Sequence, residues 1–184
     1  MRRVRQIHLA GPDDWYPDAD AHRVRRREMV EAAGFLLLAP EPLTETEASE
    51  VMAREMYADR LARLRKADAA IVNLTPWRGV GADPGAAFEA GVLAGLGKPV
   101  FAYMNLEAEE HAEYAGRVEA WMGLEAVPEG LRDPDGCLVE DLGLPETVML
   151  WAEARRLFLV VADPFSDLTG LQLCLEALQQ YVED

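Results

Sequence analysis

The chain has 184 residues, 50% of them apolar and 28% charged, a globular composition of one-domain size that needs no disulfide or metal staple. Its 18 Lys and Arg against 33 Asp and Glu leave a formal charge of −15, which repels nucleic-acid backbones and anionic lipid surfaces. A single domain over residues 1–184 with no nucleic-acid or membrane partner is therefore expected.

The first ten residues are basic but hold no apolar run of signal-peptide length, and no segment reaches the roughly 18 uninterrupted apolar residues of a membrane span. A soluble, cytoplasmic protein is the expectation. Val4 to Ala10 mixes β-branched and apolar residues and stops at Gly11-Pro12-Asp13-Asp14, the pattern of a strand entering a loop. A helix follows from Asp18 or Asp20 to Gly34, placed as its C-terminal cap. Phe35 to Ala39 reads as a short strand covered on both faces. After a Pro/Glu/Thr-rich loop, a helix is expected over 45–66, with Val51, Met52, Met56, Leu61 and Leu64 at near-helical intervals. Ala69 to Leu74 is a third strand and Thr75 to Asp83 its loop. Pro84 to Gly97 is a helix with Asp83 as cap and Pro84 in its first turn, and Pro99 to Met104 is a fourth strand.

Beyond that point, 106–122 reads as one acidic helix or two short ones, and Asp133-Pro134-Asp135-Gly136 as a turn. Helices are expected from Pro145 into the 157–161 region and from Ser166 to Tyr181, a helical C-terminal part. Strands alternating with helices imply right-handed crossovers and a doubly wound parallel α/β sheet of about five strands, with helices on both faces. Ligands of such sheets bind at the carboxyl ends of the strands, the rim reached by Gly11 to Tyr16 and by Thr75 to Asp83. Of the two cysteines, Cys174 sits among Leu171, Leu173, Leu175 and Leu178 and reads as a buried free thiol; Cys137 has no CxxC partner.

The helix 84–97 carries a single charge, Glu89, in otherwise apolar or glycine surroundings. A helix apolar on all sides is buried on most of them, so Glu89 is either exposed at a gap or held in a cleft near the positive helix end. Ala87, Gly91 and Gly95 form a small-residue stripe open to the close approach of another helix, for instance from a second subunit. Asp83 reads first as an N-cap. Asp59 and Asp68 are ordinary polar positions by themselves, and all three are expected near the rim where Thr75 to Asp83 arrives.

Ile7-His8-Leu9-Ala10-Gly11-Pro12, then Tyr57, Asp59 and Asp68, then Asn73-Leu74-Thr75-Pro76-Trp77-Arg78-Gly79 resemble the nucleoside 2-deoxyribosyltransferase family. So do Asp83-Pro84-Gly85-Ala86-Ala87-Phe88-Glu89-Ala90-Gly91 and Leu96-Gly97-Lys98-Pro99-Val100, with a later echo over 140–150. The resemblance implies a flavodoxin-like fold. It also implies transfer of a 2-deoxyribosyl group between free nucleobases through a covalent glycosyl-enzyme, with deoxynucleosides as small-molecule partners. It places the nucleophile on Glu89, an aspartate of the site on Asp83 and the polar group facing the base on Asp59. It further implies a homo-oligomer whose sites are shared between subunits. Thr147 stands where an Asn reaches across the interface, and Met149 would line the neighbour's pocket. His8 stands where the family has Tyr beside the nucleophile, and Ala86 where it has Thr.

The chemistry suits these residue types. A carboxylate on the sugar face captures an oxocarbenium-like centre, and a second carboxyl group with a raised pKa protonates the departing base. Neither a metal nor a cofactor is expected, and no HxH or HExxH spacing occurs.

Gly11 belongs to the rim, and Trp15 and Tyr16 either stack on a base or pack beneath a lid. Trp77 also lies on the rim, where Arg78 is expected to orient the carboxylates through an ion pair. Trp121 and Trp151 belong to the core or to a subunit interface. His22-Arg23-Val24-Arg25-Arg26-Arg27 reads as a solvated helix face. Two other functions compete with transfer: hydrolysis of deoxynucleosides or their 5′-monophosphates, and nucleoside binding without turnover. The pair Asp13-Asp14 weighs against a phosphate at the first loop.

Overall fold

The computed structural model describes residues 4–40 and 47–183; residues 41–46, which hold most of the Pro/Glu/Thr-rich loop and the expected helix start at 45, lie outside the described residues, while 47–49 are not helical and the helix begins at Glu50 behind its Ser49 cap. In chain order the elements are β1 (Gln6–Ala10), α1 (Ala19–Ala32), β2 (Leu36–Leu37), α2 (Glu50–Lys66), β3 (Ala69–Asn73), α3 (Pro84–Gly95) and β4 (Val100–Leu106), followed by α4 (Tyr114–Met122), β5 (Glu125–Val127), β6 (Gly130–Arg132), α5 (Val148–Glu153), β7 (Arg156–Val161) and α6 (Thr169–Glu183). Short 3-10 turns at Pro12–Trp15 and Glu109–His111 complete the set.

Five strands form one parallel sheet in the order β2-β1-β3-β4-β7, the doubly wound arrangement expected for an α/β chain of this pattern. The chain leaves β1 for β2 on one side and returns to β3 on the other, so the sheet's switch point lies between β1 and β3. Alternation of side chains sorts the strands into two cores. Ile7, Ile71, Phe101 and Tyr103 face α1 and α6 together with Val30, Leu171, Cys174, Leu175 and Leu178. Ala10, Ala70, Val72, Val100, Ala102, Met104 and Leu106 face the other way, against Leu64 of α2 and Ala86, Ala90 and Leu93 of α3. His8, one residue after Ile7, is thereby turned toward the α3 side.

Helix ends follow local chemistry. Gly34 ends α1 with φ +87°, and Ser49 caps α2 by accepting the Met52 N–H at 3.1 Å. The Lys98 ammonium closes the other end of α2 by donating to the Ala67 carbonyl at 2.6 Å. Cys174 is a buried free thiol, as expected from its leucine surroundings, and burial raises its pKa.

Three further expectations are corrected, and one element is new. The 157–161 region is not helical: it is β7, the fifth strand, because a short apolar run rich in Val satisfies its backbone best against β4. Leu106 ends β4 rather than starting a helix. A two-stranded antiparallel hairpin, β5–β6, was not anticipated. Leu36 is 53% exposed, since β2 is the sheet edge and is not covered on both faces.

Candidate active site

The side chains that meet around Glu89 come from β1, α2 and α3. Glu89 is six residues beyond Asp83, the cap of α3, which accepts the Ala86 N–H at 2.8 Å, with Pro84 in the first turn. This start aims Glu89 back at the sheet, and its residue is only 6% exposed. Its Oε2 meets Nε2 of the equally buried His8 at 2.6 Å, and its Oε1 accepts from Nη1 of Arg60 on α2 at 3.0 Å. A carboxylate can only accept, so the imidazole donates. Burial by itself would raise the Glu89 pKa, but the His8 bond and the charges of His8, Arg60 and Arg63 hold it below its ordinary value. Glu89 is therefore an anion in a place where an unpaired anion would be costly.

Two recesses meet at this carboxylate. One, of about 210 Å³, has His8, Ala10 and Gly11 from β1 and its loop on one wall, and Asp59, Arg60 and Arg63 from α2 on another. The chain after β2 and the α1 residues Arg23, Arg26 and Arg27 complete it. The second, of about 370 Å³, is lined by Trp15, Tyr57, Leu61, Leu64 and Phe88. Met56, Arg60 and Glu89 line both. Asp59 sits between Met56 and Arg60 on α2 and is paired with Arg63, its carboxylate 2.9 Å from the guanidinium. Among the described residues, no group of three or more His, Cys, Asp or Glu side chains is arranged to hold a metal ion.

The loop after β1 is anchored from beneath. Asp13 turns inward and accepts from His22 at 2.9 Å and from Asn73 at 3.1 Å, while Asn73 also donates to the Tyr16 hydroxyl at 3.1 Å. Burial opposes ionisation of Asp13, yet the His22 bond, the Arg26 charge and the Asn73 bond keep its pKa below the usual carboxylate range. A Cβ on Gly11 would stand 2.4 Å from Asp13 Oδ2 and 2.7 Å from the Asn73 Cβ, so only glycine fits there.

Of the residues expected in the site, Glu89, His8, Asp59 and Gly11 share the first recess, and Trp15 shares the second with Glu89. Asp83 does not line either recess; its carboxylate is spent on capping α3. Asp68 is at the opposite edge of the sheet, accepting the Arg5 and Gln6 N–H groups at 2.9 Å, because a residue just before a parallel strand lies at the amino end. Trp77 packs against Tyr16 and Phe165 outside both recesses, and Arg78 lies over its ring at 4.9 Å rather than pairing with the site carboxylates. Thr147 and Met149, at the start of α5, line neither recess, and Met149 is 79% exposed. Trp121 and Trp151 are exposed and do not belong to the core.

Two features escaped the sequence reading. Arg60 was not singled out, although its place one residue after Asp59 was the available signal. His22 and Arg26 are buried, not solvated, and Arg23, Arg26 and Arg27 line the cleft. The rim is also latched by Arg117, which donates to the carbonyls of Val80 (2.7 Å), His111 (3.0 Å) and Pro145 (2.7 Å). Its neighbour Glu146 accepts the Ala82 N–H at 3.1 Å, so three loops are fastened together.

A family model described as nucleoside 2-deoxyribosyltransferase matches residues 7–149. No match was found among curated proteins. Among solved structures, a 2-desoxiribosyltransferase from Leishmania mexicana superposes with a TM-score of 0.60 at 24% identity, covering 94% of this chain and 97% of that one. A 2-deoxyribosyltransferase from the psychrotolerant bacterium Bacillus psychrosaccharolyticus is also 24% identical, with a TM-score of 0.46 over 54% of this chain and 72% of its own. The sheet order agrees with the flavodoxin-like α/β class, and the family match spans the strands and helices that converge on Glu89. The chain belongs to the nucleoside 2-deoxyribosyltransferase family.

Proposed function

We infer that the protein transfers a 2-deoxyribosyl group from one nucleobase to another by two displacements at C1′, with Glu89 as nucleophile. In the first, a Glu89 oxygen bonds to C1′ while the C1′–N bond breaks and its electron pair leaves with the base, which takes up a proton. In the second, a nitrogen of the acceptor base attacks C1′, releases the carboxylate and loses a proton. Two inversions retain the anomeric configuration.

The observation that carries this reading is the state of Glu89: a buried carboxylate kept anionic by His8 and Arg60 at the junction of two recesses. The recess of Trp15, Tyr57 and Phe88 offers flat apolar surface to a base, and Glu89 stands where the bond between base and sugar would fall. Asp59, beside that junction, is the polar group for the base edge. Asp83 acts through α3, whose first turn it fixes.

Thr147 and Met149 serve a neighbouring subunit's site in this reading. The exposure of Met149 and of Phe88, and the open space beside Gly91 and Gly95 on α3, support a homo-oligomer packed through this side. One polypeptide domain over 1–184, acting in the cytoplasm on deoxynucleosides and free bases, completes the proposal; among the described residues no helix is long and apolar enough to cross a membrane.

Incubation with deoxyinosine, with and without adenine, tests it. Formation of deoxyadenosine only when adenine is present supports transfer. Hypoxanthine release without an acceptor points to hydrolysis, and no turnover in either mixture overturns the enzyme reading. Mass spectrometry of the quenched reaction is expected to show a deoxyribosyl adduct on Glu89, lost in Glu89→Ala.

A further inference from the structure

Glu146 is a buried carboxylate, 2% exposed, on the segment that leads into α5. Its two oxygens serve two different parts of the chain. Oε2 accepts the Ala82 N–H at 3.1 Å, and Oε1 accepts the Thr147 N–H at 3.0 Å. Ala82 is next to Asp83, the cap that starts α3 and thereby aims Glu89. Thr147 stands immediately before α5, on which Met149 is exposed.

Nη2 of Arg117 lies 3.6 Å from Oε2 of Glu146 and donates to the Pro145 carbonyl at 2.7 Å, so it fixes the backbone that carries Glu146. Nε of the same guanidinium holds the Val80 carbonyl at 2.7 Å, and the loop before α3 is gripped at a donor and an acceptor together. A buried ion pair adds little stability by itself, because desolvating both charges offsets much of their attraction. An apolar pair of the same volume would hold the fold as well, yet it could not accept two N–H groups and set where they stand. Ala82 and Leu150 of α5 pack on the same core as Ala86, Ala90 and Leu93 of α3, so the two helix starts share one bed.

We propose that Glu146 is a positioning residue for two sites at once. One of its oxygens sets the start of α3, and so the aim of its own chain's Glu89. The other sets the start of α5, and so the Thr147–Met149 segment offered to the neighbouring subunit. This rests on the reading of Glu89 as nucleophile and of that segment as part of the neighbour's site. Glu146 lines neither recess, so it acts through these two backbone groups and not on substrate.

Glu146→Met removes both acceptors, and Glu146→Gln keeps one. Transfer from deoxyinosine to adenine is expected to lose about 100-fold in kcat with Met and about tenfold with Gln, while KM moves less than about threefold. Should the Met variant melt below the assay temperature, the Gln variant carries the same comparison. Mixed oligomers of Glu146→Met and Glu89→Ala subunits, purified through two different tags, separate the two arms. There the intact Glu89 of one subunit meets the intact 147–149 segment of the other, and activity per intact Glu89 is expected to lie between that of the Glu146→Met oligomer and that of the parent. Full recovery removes the α3 arm, no recovery removes the neighbour's arm, and a parental kcat in Glu146→Met removes both; each overturns the proposal. If Glu89→Ala alone still transfers, or the parent is an active monomer, the underlying reading falls instead, and the Glu146→Met kcat still decides whether the start of α3 is set by this carboxylate.

Discussion

Nε2 of His8 lies 2.6 Å from Oε2 of Glu89, with both side chains almost closed off from solvent. A hydrogen bond to a charged group is worth on the order of 1.5–3 kcal/mol, and this one orients Glu89, the proposed nucleophile. His8→Phe keeps a ring and deletes the donor; kcat is expected to fall about 10- to 100-fold with a smaller change in KM. His8→Tyr restores a donor and is expected to recover part of the rate. Single-turnover measurements with deoxyinosine and adenine decide it, and an unchanged His8→Phe rate removes His8 from the mechanism.

Arg60 holds the other Glu89 oxygen and is one source of the depressed carboxyl pKa. Arg60→Met takes that cation away, so the Glu89 pKa rises toward its ordinary value. The acidic limb of the kcat/KM profile is expected to move to higher pH in the variant. A profile that stays in place shows that Arg60 does not tune Glu89.

Glu89 and Asp13 both have folded-state pKa values below their ordinary 4.5 and 3.8. Such groups add stability that is complete above the unfolded pKa and lost as pH falls through the folded one. Thermal melts are therefore expected to hold their midpoint above about pH 5 and to drop steeply below about pH 4. Glu89→Gln, neutral at every pH, is expected to lose less on acidification than the parent chain.

Gly11→Ala would force a methyl against Asp13 and Asn73, two side chains already committed to each other. The cost is expected to exceed about 2 kcal/mol, a fall in melting temperature of roughly 4–8 °C. A melt equal to that of the parent chain means the β1 loop is softer than its packing indicates.

Met149 is exposed at the start of α5, on the side where the proposed homo-oligomer would pack. Met149→Asp is expected to lower the mass seen by light scattering and to reduce transfer together. A parent chain that is both monomeric and fully active rules out shared sites.

Much of this site was legible because its signals are local. A lone carboxylate in an apolar helix, capped by Asp83 and Pro84, announces a buried anion, and a parallel α/β pattern says which sheet edge it approaches. His8 was readable as a candidate, but its contact with Glu89 depends on strand alternation across the sheet. The arginines of α1 and Arg60 were not readable: on one helix they look like any solvated face, and only the cavity beneath them tells otherwise. Asp68 was misplaced because closeness in sequence to β3 says nothing about which end of the strand it occupies. The strand β7 reads as helix in the sequence because its apolar run follows a proline-led segment and carries no turn signal between.

The Arg117 latch has a practical consequence. Everything it fastens lies before residue 123 or after residue 144, leaving the β5–β6 hairpin outside the knot. That exposed finger is consequently a natural point for grafting an affinity tag or a fluorophore loop, since added length there would hang in solvent while the catalytic rim keeps its shape.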